Sequence, residues 1–356
     1  MSCILKFYPS FPLSSLGPIQ KIFLTSGIAI TAFFVLVGIL SLKILAPEIR
    51  NEVKNHLISV RDIKKTQIQN FFSERYGDVN ILSKNPIIIK SLPRFSEAYK
   101  AGGFDDPQYK QVKSDYDYLF IHFLTQHGYK NIYLVDGEGN IVYGVKSDDY
   151  LGKNLKHEEY SSTVFGEVFR EGLTNLKFSD LTWNDKTKDY MCLGACPVYD
   201  PSNTLLGVVI VEIPYYRLDA ILSQTGGLGK TGEIYIVGSD KLMRSKSRFL
   251  KQNTILNLKI DTEATEDALR GNTYVRSVKD YRKIPVLSAY TPLNGLRDVN
   301  WVLLVEKDET EIFYPFIILK SSLFVAAVVI IILSVVYLYF TLRERPVKNV
   351  PQRIIS

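Results

Sequence analysis

The chain has 356 residues, is 46% hydrophobic and carries a formal net charge of +6. That length accommodates two domains plus membrane segments. The excess charge lies at the ends, where Lys6, Lys21, Arg343, Arg345, Lys348 and Arg353 meet a single acid, Glu344; the balanced segment between them argues against nucleic-acid binding.

Taken in order, residues 1–21 form a short basic head. Ile22 to Leu42 contains no charge, and neither does Ser321 to Phe340. Each is about 20 residues, enough to cross a hydrocarbon core of about 30 Å as a helix. Spans are therefore expected at 22–42 and 316–340, with Lys43 and Lys320 snorkelling at the rims. The first run is too long for the apolar region of a cleaved signal peptide, and no small-residue cleavage site follows it. Basic flanks mark the cytoplasmic side. Both termini are accordingly expected in the cytoplasm of a bacterial cell, with the middle of the chain outside the inner (plasma) membrane.

Pro47 to Asn85 reads as one long helix. Apolar residues recur at Ile49, Val53, Leu57, Val60, Ile63, Ile68, Phe71, Val79 and Leu82, mostly three or four apart. Arg50, Lys54, Arg61, Lys65 and Glu74 are expected on the opposite, solvated face. At about 1.5 Å per residue the rod is about 58 Å long, too long for one small domain. It reads as a stalk on which other modules dock, with an apolar stripe able to pair two copies. Ser91 to Gln108, with two prolines and two glycines, reads as a loop. Val112 to Gln126 is a second helix, stopped by Gly128.

Ile132–Val135 and Ile141–Tyr143 flank Asp136-Gly137-Glu138-Gly139-Asn140 as a hairpin. That turn lacks the glycine and the closing glutamate of a calcium loop. A short helix near 161–171 precedes strands at 177–181, 190–199 and 205–213. A helix, Pro214 to Gln224, leads into Thr225-Gly226-Gly227-Leu228-Gly229-Lys230-Thr231-Gly232. This is not a phosphate loop: Gln224 stands where a glycine is needed, a helix precedes it, and a strand (233–238) follows it. From there the pattern partly repeats. Ile234-Tyr235-Ile236-Val237 echoes Ile132-Tyr133-Leu134-Val135, and a helix at 263–270 precedes strands at 271–278, 285–291 and 301–306. This order gives an α+β class with antiparallel sheets in tandem.

Cys192 and Cys196 lie in one predicted strand, about 13 Å apart along it, beyond disulfide reach of about 7 Å unless the chain turns at Gly194. Two small buried residues is the simpler reading. His56, His122, His127 and His157 show no metal-ligand spacing, and no nucleophile–base pair stands out, so no metal, cofactor or catalytic residue is expected.

The arrangement of span, long helix, two mixed modules and second span resembles the double-Cache (dCache) sensor domain of bacterial transmembrane receptors. Gly227-Leu228-Gly229-Lys230-Thr231-Gly232-Glu233-Ile234-Tyr235-Ile236-Val237-Gly238 and Leu242-Met243-Arg244-Ser245-Lys246-Ser247-Arg248-Phe249 look like the start of the membrane-proximal module. The resemblance implies a long N-terminal stalk helix with two PAS-like modules, a membrane-distal one (46–213) and a membrane-proximal one (214–312). Chemotaxis transducers, sensor histidine kinases and cyclases share this input domain. Arg345-Pro346-Val347-Lys348-Asn349, within a cytoplasmic stub at 341–356, resembles the first turn of a HAMP linker, and the chain runs only to Ser356 with no output module. The alternative is thus a truncated receptor, or a stand-alone membrane binding protein that acts through a partner. The family's amino-acid signature has no counterpart in Val112–Gln126, which holds neither Arg nor Trp. A ligand pocket is implied on the open face of the distal sheet, with Tyr133, Tyr143, Asp180, Trp183 and Tyr190 as candidate lining residues and Asp180 suited to a ligand ammonium. In the competing reading Tyr133 and Tyr143 are core, and Trp183 with Asp185 caps a loop. The expected partners are a small-molecule ligand and a second copy of the chain.

Overall fold

The computed structural model describes residues 17–343, Lys186 excepted. Most of the basic head, Cys3 and the HAMP-like stretch Arg345–Asn349 lie outside the described residues. The chain divides into two units, Lys54–Glu309 and the two ends together.

In the unit of the ends, α1 (Pro18–Leu40) is followed by a π-helical turn, Ser41–Leu45, and α9 is Glu309–Arg343. Both are long and apolar enough to cross a membrane. They pack together: Phe23 stacks on Tyr337 at 4.0 Å, and a Cβ on Gly27 would lie 2.8 Å from Ser334 Oγ, so the glycine permits a close approach.

The central unit is hung on α2 (Ala46–Ser83), which fulfils the single-rod expectation. Its buried stripe runs through Leu57, Arg61, Lys64, Ile68, Phe71, Phe72, Arg75, Val79 and Leu82. Ile63, expected in that stripe, is instead 57% exposed, and Arg61, expected in solvent, is buried. The physical reason is that long basic side chains bury their stems while their heads find acceptors. Arg61 donates to the Tyr274 carbonyl at 3.4 Å, and Lys64 Nζ donates to the Ile221 carbonyl at 2.5 Å. Arg75 pairs with Asp78 at 3.3 Å and lies over the Phe71 ring.

The loop expected over 91–108 is largely helical. Asn85 caps α3 (Pro86–Gly102), its side chain accepting from Ile87 N at 2.9 Å, with Pro86 at the tolerant first position. Ile88, Leu92, Phe95 and Ala98, three or four apart, are all buried, and this packing outweighs the lost N–H of Pro93. The second helix, α4 (Pro107–His127), starts earlier than expected because Asp106 caps it. It ends at Gly128, which takes a φ of 66° and donates to the Leu124 carbonyl.

Strands β1 (Asn131–Asp136), β2 (Ile141–Gly144), β3 (Lys177–Phe178), β4 (Thr182–Asn184), β5 (Asp189–Tyr199) and β6 (Leu205–Pro214) form the first sheet. Its order is β2-β1-β6-β5-β3, with β4 on β5. The pleat sends Leu134 and Tyr143 to one face, where Tyr143 meets Phe95 and Phe120 of the helices. Tyr133, Val135, Val208 and Ile210 point to the other. That face is covered by the 145–163 loop with its short helix α5 (Glu158–Ser161) and by α6 (Val164–Gly172). After α7 (Tyr215–Leu222), strands β7 (Glu233–Gly238), β8 (Tyr274–Lys279), β9 (Pro285–Pro292) and β10 (Trp301–Asp308) form a second sheet in the order β7-β10-β9-β8. Its Trp301 side packs on α2, edge-to-face with Phe72 at 5.5 Å. Helix α8 (Glu263–Leu269) covers the opposite side. Cys192 and Cys196 lie in unbroken β5, and both are free and buried. Burial pushes the Cys192 thiol up to about 12.

Candidate functional site

A strand that is buried on both faces should be apolar throughout. Four strands here break that rule. Asn131 opens β1, and Glu212 stands in the Val/Ile run of β6 directly opposite it in the ladder. In the second sheet Glu233 opens β7 opposite Glu306 of β10. All four are buried.

Around Asn131 and Glu212 a polar cluster fills the loop-covered face of the first sheet. Asp148, from the loop after β2, is its hub. It accepts from Tyr133 Oη, from Asn131 Nδ2 at 3.1 Å and from the Tyr150 amide at 3.0 Å. Tyr150 Oη donates to Asn184 Oδ1 at 3.3 Å, bringing in β4. Lys130 Nζ sits 3.1 Å from Glu212 and 3.0 Å from Asp189. Burial raises the Glu212 pKa, against the pull of Lys130. Burial, with Glu212 and Asp148 nearby, holds the Tyr133 phenol far above its usual range, so it stays a hydrogen-bond donor. The cluster thus sets carboxylates, amides and phenols against one lysine in a largely buried position, the chemistry that an ammonium group would match. Unlike the other sheet face, it is roofed by a loop and two short helices.

The five residues singled out from the sequence do not converge on one spot. Tyr133 belongs to the Asp148 cluster, with its ring edge-to-face on Phe165 at 5.3 Å. Tyr143 lies on the opposite face and donates to Asp117 at 2.7 Å. Trp183 is 40% exposed and donates its indole N–H to Asp185 at 3.0 Å. It also packs on Tyr190 with ring centroids 4.9 Å apart. Tyr190 reaches the loop after β7, donating to the Ile255 carbonyl at 3.1 Å and accepting from Asn253. Asp180, between β3 and β4, accepts from Arg244 Nε at 3.0 Å, Arg244 Nη2 at 2.9 Å and Trp301 Nε1 at 2.8 Å. Its oxygens therefore tie the first sheet's loop to the second sheet. Arg244, 4% exposed at its side chain, also bonds Asp240 at 2.9 Å.

Asn131, Asp148, Asn184 and Glu212 were not singled out from the sequence. The available signal was an acid or amide inside an apolar strand.

A family model described as a Cache domain (dCache_1) matches residues 41–316. Among curated proteins there is no match. The ligand-binding domain of the Campylobacter jejuni chemoreceptor Tlp3, in complex with 4-methylisoleucine, is similar over 74% of this chain and 94% of that one, at 13% identity and a TM-score of 0.54. The same domain with L-valine covers 75% and 97%, at 13% identity and 0.53. The ligand-binding domain of the Pseudomonas aeruginosa amino-acid chemoreceptor PctC, in complex with GABA, covers 72% and 100%, at 17% identity and 0.47. At these identities the likeness is one of fold.

Proposed function

Because the chain belongs to the Cache domain family, we propose that it is a two-pass bacterial plasma-membrane sensor. Its tandem modules, 46–213 and 214–312, stand outside the cell and bind a small solute, and both termini lie in the cytoplasm. The observation that carries this reading is the buried polar cluster around Asp148 and Glu212, under a roof of loops in the first sheet. An amino-acid-sized solute is the ligand class, with its ammonium taken by the Asp148 and Glu212 carboxylates and Tyr133 and Tyr150 as walls. Two of the Tlp3 complexes hold such molecules, L-valine and 4-methylisoleucine.

Asp180, Trp183 and Tyr190 act in this reading at the joint between modules. A roof that moves on binding pulls on the β3–β4 loop, and Asp180 passes the movement to Trp301 at the start of β10. The residue after β10 begins α9, so no loop absorbs the motion. A solute shifts this equilibrium only by its differential affinity for the two states. A Gly-Ser insertion after Asp308 should abolish any solute-induced change at a probe on α9, and an unaltered response would reject the route. Two copies pair along α2, which crosslinking of single-Cys stalk variants tests.

The decisive screen is thermal unfolding of the full chain in lipid nanodiscs against amino acids, amines and organic acids. A ligand at about 100 times its Kd stabilises the folded state by about 2.7 kcal/mol, a rise of roughly 5–10 °C for a domain of this size. If no amine-bearing solute raises the midpoint, the ligand class is wrong.

A further inference from the structure

We propose that the second sheet holds a separate binding site for a small organic ammonium ion, in the cavity between α7, the 223–232 loop and the start of β7, with Glu233 as its counter-ion. The cavity is about 260 Å³ and is lined by Asp219, Thr225, Glu233, Lys246, Ser247 and Arg248 among others.

Three observations support it. The first is register. Glu233 faces Glu306 across β7–β10 just as Asn131 faces Glu212 across β1–β6, and Tyr235 follows Glu233 as Tyr133 follows Asn131. The tandem repeat has therefore kept a polar site at the same place in each sheet. The second is charge. Asp280 and Asp308, both buried, share Arg282, at 2.5 and 2.6 Å. Glu233 hydrogen-bonds neutral donors, the Arg248 amide at 2.6 Å and Tyr281 Oη at 2.7 Å, and Arg282 acts on it only through space. Arg248 spends its guanidinium on the Gly232 and Gly229 carbonyls, and Lys246 lies 3.8 Å from Asp219.

The third is that two buried carboxylates on adjacent strands repel each other unless a proton or a cation intervenes. Burial has pushed Glu306 up to about 7, despite the Ser288 and Tyr235 hydroxyls beside it. A ligand ammonium at Glu233 supplies the missing charge. The site does not depend on the first-sheet cluster being the main sensor site.

The test is calorimetric titration of the full chain in nanodiscs with butylammonium and ethanolammonium chloride, and with butanol as the neutral control. The expected result is saturable binding of at least one ammonium ion and none of butanol. Glu233→Gln should weaken that binding at least tenfold. Thr225→Phe, which fills the cavity from the loop and leaves every carboxylate in place, should abolish it. All of these titrations are made in the Asp148→Asn background, which takes the first-sheet cluster out of the measurement, so the ammonium binding that is read belongs to this site. Absence of ammonium binding, or binding that folded Thr225→Phe protein retains, would overturn the proposal.

Discussion

Asp180→Ala is the sharpest perturbation of the joint between the two sheets. It removes three hydrogen bonds between the sheets, of 3.0, 2.9 and 2.8 Å, together with the Leu181 amide's bond to the same carboxylate at 2.6 Å, and leaves two donors of the second sheet behind. The donors fare differently. Trp301, 1% exposed, keeps a buried indole N–H with no acceptor, at a cost of about 1–3 kcal/mol. Arg244 keeps Asp240 and the Leu242 carbonyl, each at 2.9 Å, so its charge is not stranded. Asp180 itself is 39% exposed at its side chain, and water refills part of the gap. The expected total is about 2–3 kcal/mol, or a fall of roughly 4–12 °C in the unfolding midpoint of a domain this large. Asp180→Asn, which keeps one carbonyl oxygen for Trp301, should lose about half as much. A cycle with Trp301→Phe isolates the pair: Phe fills most of the space but has no N–H to strand, so Asp180→Ala should cost at least about 1 kcal/mol less in that background. Additive losses, or a midpoint within 1–2 °C of wild type (about 0.5 kcal/mol), would refute the claim that Asp180 holds the sheets together.

Glu306 predicts a pH profile. Its folded pKa, about 7, lies above the ordinary 4.5. The folded state thus holds the proton more tightly, and the stabilisation, complete below about 4.5, is lost as pH rises through 7. That loss amounts to about 3 kcal/mol, and Glu306→Gln should flatten the profile by a similar amount in denaturant titrations at pH 4.5 and 8. Gly207→Ala should cost more than about 3 kcal/mol, because the added Cβ would lie 2.1 Å from the Val135 carbonyl oxygen. Chemical unfolding would measure it, and a loss under 1 kcal/mol (about the typical point mutation) would contradict this register of β1 and β6.

The elements carried by periodicity were readable in the chain. Helix α2 has an apolar step of three or four, the hairpin has a Gly-rich turn, and both sheets alternate or run apolar as buried strands do. Helix α3 was not, because Pro93 and the two glycines outweighed the Ile88–Leu92–Phe95 spacing until its packing on Tyr109 and Tyr143 was visible. On α2 the stripe drifted at Ile63 and Arg61, since sequence patterns treat a basic residue as solvated and cannot see a carbonyl waiting for it. The site was legible only in part. Tyr133 lies in it, but Asp180 is bonded to a residue 121 positions away, a contact no local pattern contains. Glu212, Glu233 and Glu306 were visible as acids in apolar runs; their meaning came from register, which places each beside its cross-strand partner.

The account stands most directly on calorimetric titration of the full chain and its Asp148→Asn variant with the solute that best raises the wild-type midpoint. Asp148 touches Tyr133, Asn131 and Tyr150 at once, so losing its charge should weaken binding at least tenfold, about 1.4 kcal/mol, while the variant remains folded. Equal affinity in the two proteins would place the solute elsewhere and contradict the site.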